Sequence, residues 1–268
     1  FYRGSKEVTR DEFTAFSKVL LDNDRMFQAV GWTEIVAAND RERIESEIRQ
    51  NGFPAFGFKE ISAEGALITA SLRERYYPVL YVYPLATNGN AFGLDLGAEP
   101  SRLAALKAAR DVGRATATAP IILAQEAGQQ RAIIMYLPIF DDDYDPLSHT
   151  KISAREYFKG YIRGVFRVSG ILGGVLTDAD AQHYSIAIND VTDSGKPKWL
   201  VLSASVPLAK FEASHKTLQF GDRILDIDFY ANSTYSVASK DWTSWVILTV
   251  GLLIAAMLQA FILMITGS

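Results

Sequence analysis

Cysteine is absent from the 268 residues, which excludes disulfides, thiolate nucleophiles and cysteine-bound metal sites. Histidine is scarce. His149, His183 and His215 stand far apart in sequence, lack carboxylates at ligand spacing, and read as surface or turn residues. Positive charge is not in excess either: 27 Lys and Arg face 31 Asp and Glu, for a net charge of −4 and a pI near 5.5. A nucleic-acid binder needs clustered cations to neutralise phosphates, so that class is not expected. Also missing are a P-loop, a dinucleotide fingerprint after a strand, a nucleophile elbow and a paired-histidine zinc helix. No catalytic residue, metal site or cofactor is therefore expected.

The chain has 49% hydrophobic and 22% charged residues, enough to bury a core in one large domain or two small ones. Its strongest single feature is the run VILTVGLLIAAMLQAFILMI at residues 246–265, which carries no charge. As a helix that length spans about 30 Å, the thickness of a bilayer core. Trp242 and Trp245 precede it, where indoles favour the membrane interface. A buried core helix is the alternative, but an all-round apolar helix with only Gln259 as a polar interruption is unusual in a domain this small. The expectation is a soluble part followed by a membrane span at 242–266. Both ends read as trimmed, since the chain opens on Phe1 and stops soon after the apolar run. Gly251 and Ala255 lie four apart, as do Ala256 and Ala260, and small residues at helical spacing let membrane helices approach closely. Gly251 and Ala255 are the expected dimer interface in the membrane.

Along the soluble part, Thr9 and Glu12 have capping-box spacing, and Phe13, Phe16 and Leu20 then repeat at helical spacing. A strand is expected at 30–36 and a charged helix at 41–50, stopped by Asn51-Gly52. Further strands are expected at 53–61 and 76–84. Glu99-Pro100-Ser101 opens a helix with proline in its first turn, and Gly113 ends it. Strands at 116–123 and 131–140 complete a first block, and the acidic run Asp141, Asp142, Asp143, Asp145 marks a boundary. The second block has strands at 161–168, 184–189, 199–203 and 223–230 and a short helix at 171–178. This mixture with hairpin-like connections points to α+β rather than a doubly wound sheet.

Weaker signals are mostly bland. The acidic run does not match a calcium loop, Gly170 to Gly174 lacks a phosphate-binding lysine, and Asn232-Ser233-Thr234 fits the common glycosylation pattern. The aromatic strand is more informative. Alternation puts Tyr77, Val79, Tyr81 and Tyr83 on one face and Tyr76, Leu80 and Val82 on the other. A row of tyrosines suits the wall of a small-ligand pocket, and it equally suits packing under a helix.

An ordered set of segments resembles the CHASE family, the extracytoplasmic sensory domain of bacterial and plant transmembrane receptors. The set comprises Gly52-Phe53-Pro54, the stretch from Tyr76 to Pro84, Gly93-Leu94-Asp95-Leu96 with Glu99-Pro100, and Ala108-Arg110-Asp111-Gly113. Thr118-Ala119-Pro120, Gln125-Glu126, Leu137-Pro138-Ile139-Phe140 and Gly164-Val165-Phe166-Arg167 continue it, so that it covers most of the chain between Thr9 and Tyr230. The resemblance implies a stalk helix (1–50), a membrane-distal PAS-like ligand-binding module (51–145), a membrane-proximal PAS-like module (146–241) and the membrane helix. It also implies an upstream membrane helix, a soluble part that is periplasmic or extracellular, attachment to the inner membrane, and a homodimer. The expected ligand-binding residues are Tyr81, Tyr83, Pro84, Thr118 and Met135. Plant members bind cytokinins through a threonine, matched here by Thr118, and an aspartate whose position falls at Pro84. Proline offers neither carboxylate nor N–H. An adenine-type ligand would lose a charge-assisted hydrogen bond of roughly 1.5–3 kcal/mol there, which argues against the plant mode of recognition.

The sequence therefore reads as a small-ligand sensor passing its state through a membrane helix to an effector outside this chain. That effector would be a histidine kinase, a diguanylate cyclase or an adenylyl cyclase. The alternative is a ligand-independent dimerisation and tethering module.

Overall fold

The capping box forms as its spacing requires. In the computed structural model the Thr9 backbone N–H donates to Glu12 Oε2 at 3.0 Å and the Glu12 N–H donates back to Thr9 Oγ1 at 3.3 Å. The described residues are 9–23, 27–122, 131–141, 157–167, 184–192, 198–202, 212–231, 246–250, 252–254 and 257. From the cap runs α1 (Arg10–Asn23), then β1 (Phe27–Thr33), β2 (Val36–Ala37), α2 (Arg41–Gln50) and the small hairpin β3 (Lys59–Ile61) and β4 (Leu67–Thr69). Next come β5 (Arg75–Tyr76), β6 (Val79–Tyr83), α3 (Leu85–Asn88) and α4 (Pro100–Val112). The Glu99 carboxylate caps α4, and Gly113 ends it at φ +71°, where a side chain would strain the backbone. Then follow β7 (Thr116–Ala117), β8 (Ile121–Ile122), β9 (Arg131–Phe140), β10 (Phe158–Arg167), β11 (Tyr184–Asp190), β12 (Lys198–Leu202), β13 (Glu212–Phe220) and β14 (Arg223–Ala231).

The chain is α+β, with a sheet-rich core and several helices. One antiparallel sheet has the order β6-β1-β10-β9-β7, with β8 also on β9, and a second has the order β12-β11-β14-β13. The first sheet buries both faces. Its core includes Val30, Trp32, Val79, Val82, Ile134, Tyr136 and Tyr161, all nearly inaccessible. α1 covers one face beside β6 and β1, and α4 covers the other beside β9 and β7.

Several expectations change. The 53–61 strand shrinks to β3, because Phe53, Phe56 and Phe58 turn inward to a ring cluster with Phe92 and Tyr76. The aromatic strand breaks in two: β5 pairs with β2 and β6 with β1, and the intervening Tyr77 N–H donates to the Asp95 carboxylate at 2.7 Å. β10, expected in the second block, lies inside the first sheet between β1 and β9. Its buried residues, Gly160, Tyr161, Arg163, Val165 and Phe166, fall on both faces of the sheet. β13 was not expected; its residues are largely polar and exposed, so the strand is held by pairing with β14 rather than by an apolar face.

At the C-terminal end, residues 246–250, 252–254 and 257 are helical. No helix among the described residues is long and apolar enough to cross a membrane. The rest of the apolar run, including Gly251 and Ala255, lies outside the described residues, as do 142–150, 168–183 and 232–245.

Candidate functional site

The face of the first sheet under α4 carries a row of paired residues: Val82, Gly31, Arg163, Tyr136 and Thr116. An arginine in the middle of such a row is unexpected, yet Arg163 is only 3% exposed. Gly31 makes room for it, since a Cβ there would run into the Arg163 side chain. Above the row, α4 buries Arg102, Ala105, Leu106 and Ala109. The Tyr161 hydroxyl ties helix to sheet by donating to the Leu106 carbonyl at 2.9 Å.

Among the described residues, Arg163 Nε, Arg102 Nε, the Tyr136 hydroxyl and Thr33 Oγ1 are buried without a hydrogen-bond partner. The acid nearest Arg102 is Glu99, with 3.9 Å between Oε2 and Nε. Its carboxylate already accepts the Ser101 and Arg102 backbone N–H groups, each at 2.9 Å. Burial lowers the Arg163 guanidinium to about 10, with the Tyr136 hydroxyl working against the shift and the Arg102 charge adding to it. Burial likewise pushes the Tyr136 hydroxyl up to about 12. A base whose folded value lies below its unfolded one costs stability while it is charged. That cost is present below about pH 10 and is relieved as pH rises above it.

Beside the layer opens a cleft of about 540 Å³, lined by residues including Ile61, Leu94, Asp95, Arg102, Ile121 and Arg131. Its acids are committed. Asp95 accepts the Tyr77 and Gly97 N–H groups at 2.7 and 3.0 Å and pairs with Arg73 at 2.6 Å. Glu99 is occupied as the helix cap. Arg102 therefore belongs both to the cleft lining and to the unsatisfied layer. Such a site can hold a small molecule with an apolar body and a polar or anionic end. Among the described residues, no group of three or more metal-ligating side chains comes together.

The residues expected to bind ligand divide between the two faces. Tyr83 and Met135 share a row with Val30, Gly164 and Ala117 on the face away from α4. Tyr81 lies on that same face under α1, its ring 5.5 Å from Phe13. The Arg10 guanidinium sits over the rings of Phe53, Tyr81 and Phe92 at 4.4, 4.8 and 4.9 Å and donates to the Leu80 carbonyl at 3.2 Å. Burial lowers its pKa. Pro84 precedes α3, and its carbonyl accepts Asn88 Nδ2 at 2.9 Å. Thr118 registers with Ile134: its N–H donates to the Ile134 carbonyl at 2.8 Å, and its Oγ1 accepts the Ile134 N–H at 3.1 Å. Tyr83 and Met135 are thus brought to one face, and Thr118 is not brought to them.

That face also receives the second sheet. Ala117 and Ile133 form a buried cluster with Ile186, Ile188 and Leu225, and the Phe166 and Phe220 rings meet edge-on at 4.8 Å. At the turn between β13 and β14, the Ala117 N–H donates to Asp222 Oδ1 at 2.7 Å, and a Cβ added at Gly221 would meet Met135 and Ala117 at ordinary contact distance. The same hairpin places His215 2.6 Å from Asp228 and 3.7 Å from Asp226, a cross-strand grouping hidden by sequence distance.

Sequence reasoning missed Arg163, Arg102, Tyr136 and Asp222. For Arg163 a signal existed: it shares its alternation phase with Tyr161 and Val165, so an inward-facing β10 would bury it. A family model described as the CHASE domain matches residues 6–200, more than half of the chain. No curated protein matches the chain.

Proposed function

We propose that this chain, which belongs to the CHASE domain family, is the small-ligand sensor of a transmembrane receptor. The CHASE domain is an extracytoplasmic sensory module and not a catalytic one. On this reading residues 1–241 lie in the periplasm or outside the cell, as a stalk helix with two PAS-like modules. Residues 242–266 cross the inner membrane as a homodimer, pairing through Gly251 and Ala255. The effector lies beyond, as a histidine kinase, a diguanylate cyclase or an adenylyl cyclase.

The observation that supports this most is the double use of β7 and β9. One face of these strands looks toward α4 and the cleft, while the other grips the second sheet through Asp222 and the Ile186–Ile188–Leu225 cluster. A ligand entering between α4 and the sheet would change how these strands sit, and the β13–β14 turn would follow. A ligand shifts such an equilibrium only by its differential affinity for the two arrangements.

The test is a thermal-shift screen of the full chain in detergent against small metabolites of all charge types. The expected result is a compound class that raises the unfolding temperature in a dose-dependent way. A screen in which no compound does so favours the tethering alternative and defeats the sensor reading.

A further inference from the structure

Resting on the sensor reading, we propose that the cleft takes a small organic carboxylate, with its carboxylate on Arg102 in the field of Arg163 and Tyr136. Two guanidinium groups are buried where α4 meets the sheet, Arg102 on the helix at 5% and Arg163 on β10 at 3% exposed. Each has a buried Nε with no hydrogen-bond partner, and the nearby Tyr136 hydroxyl is equally unsatisfied. Buried charges in proteins are normally paired, because leaving one unpaired carries a heavy desolvation cost. Here Arg102 has only a long ion pair, 3.9 Å from its Nε to Oε2 of Glu99, whose carboxylate also caps the first turn of α4, while Asp95 is held by Arg73 and two backbone N–H groups. The missing partner is an anion, and the cleft on which Arg102 opens is its entrance.

The lining defines the rest of the molecule. Ile61, Leu94, Pro100, Pro120 and Ile121 offer apolar contact, and Arg131 stands exposed at the rim. An inorganic anion would leave that apolar surface unused. A carboxylate on a hydrocarbon or aromatic body matches both parts, because guanidinium and carboxylate meet through parallel, charge-assisted hydrogen bonds.

The full chain is titrated by thermal shift with acetate, benzoate, succinate and citrate, each against an uncharged amide where one exists (benzamide, succinamide), and with inorganic phosphate. A carboxylate with an apolar body raises the unfolding temperature of the wild type by about 5 °C at saturation, and its amide does not. Arg102→Met abolishes that shift. Arg163→Met, which removes an unpaired buried charge, unfolds no earlier than the wild type without ligand yet loses most of the shift. Equal shifts from carboxylate and amide, a shift that survives both substitutions, or one matched by phosphate would each overturn the proposal. So would the absence of any carboxylate response. An uncharged compound that stabilises wild type and Arg102→Met alike overturns the anion and leaves the sensor standing.

Discussion

Thr118 and Arg163 show two ways in which a buried polar side chain is settled. Thr118 substitutes for a rung of the ladder: its hydroxyl oxygen takes the Ile134 N–H that a backbone carbonyl would otherwise accept. Replacing it by alanine leaves that buried N–H without an acceptor, at a cost of roughly 1–3 kcal/mol. Thr118→Ser keeps the bond and loses only a methyl group, about 1 kcal/mol. Denaturant unfolding of the two variants checks this ordering, and equal stabilities would show that the bond contributes nothing. Arg163, by contrast, keeps a buried Nε that finds no hydrogen-bond partner among the described residues. The family pattern pointed to Thr118, but its job depends on register with Ile134, which residue types sixteen apart do not reveal. Arg163 was visible only through its alternation phase, because the strand's partners β1 and β9 come from distant parts of the chain.

Elements closed by local chemistry were legible, and those closed by distant pairing were not. The cap at Thr9, the stop at Asn51-Gly52, and the Glu99–Pro100 start and Gly113 end of α4 all act within a turn or two. β10 joins the first sheet and not the second block, and nothing local in its sequence says which sheet it joins. The docking of α1 is a mixed case. Its apolar repeat announces a buried face, but the clamp on its first turn is Arg10 among Phe53, Tyr81 and Phe92, residues scattered along the chain. Removing that guanidinium, as in Arg10→Met, should loosen α1 by about 1–2 kcal/mol, from the cation–π contact and the bond to the Leu80 carbonyl. Hydrogen exchange reads this as faster exchange of the α1 amides with the sheet amides unchanged. Unaltered α1 exchange would show that Phe13 and its neighbours hold the helix unaided. On the proposed reading α1 belongs to the receptor's stalk, and elements that move in signalling come from the less stable part of a fold.

For the whole molecule, the first sheet is shared property. α1 lies on one face at the β6 edge, the second sheet meets that same face at the β7 edge, and α4 with the cleft takes the opposite face. On the proposed reading, a change under α4 would reach the second sheet through the thickness of two strands. The narrowest point on that route is the Asp222 carboxylate holding the Ala117 N–H. Packed cores of this kind pass on a displacement because they rearrange between discrete states and do not deform continuously. The Asp190–Arg223 pair at 2.5 Å stiffens the receiving side, with the Arg223 and Thr192 hydrogen bonds holding the Asp190 carboxyl below its usual range against the upward pull of burial. The decisive measurement is hydrogen exchange of the full chain with and without the compound that gives the largest thermal shift. Altered exchange at residues 132–136 and also at Ala117 and the 221–222 turn is the predicted result, with the distant part lost in Asp222→Ala. Exchange that changes only around the cleft, and leaves the turn as it was, would contradict the account.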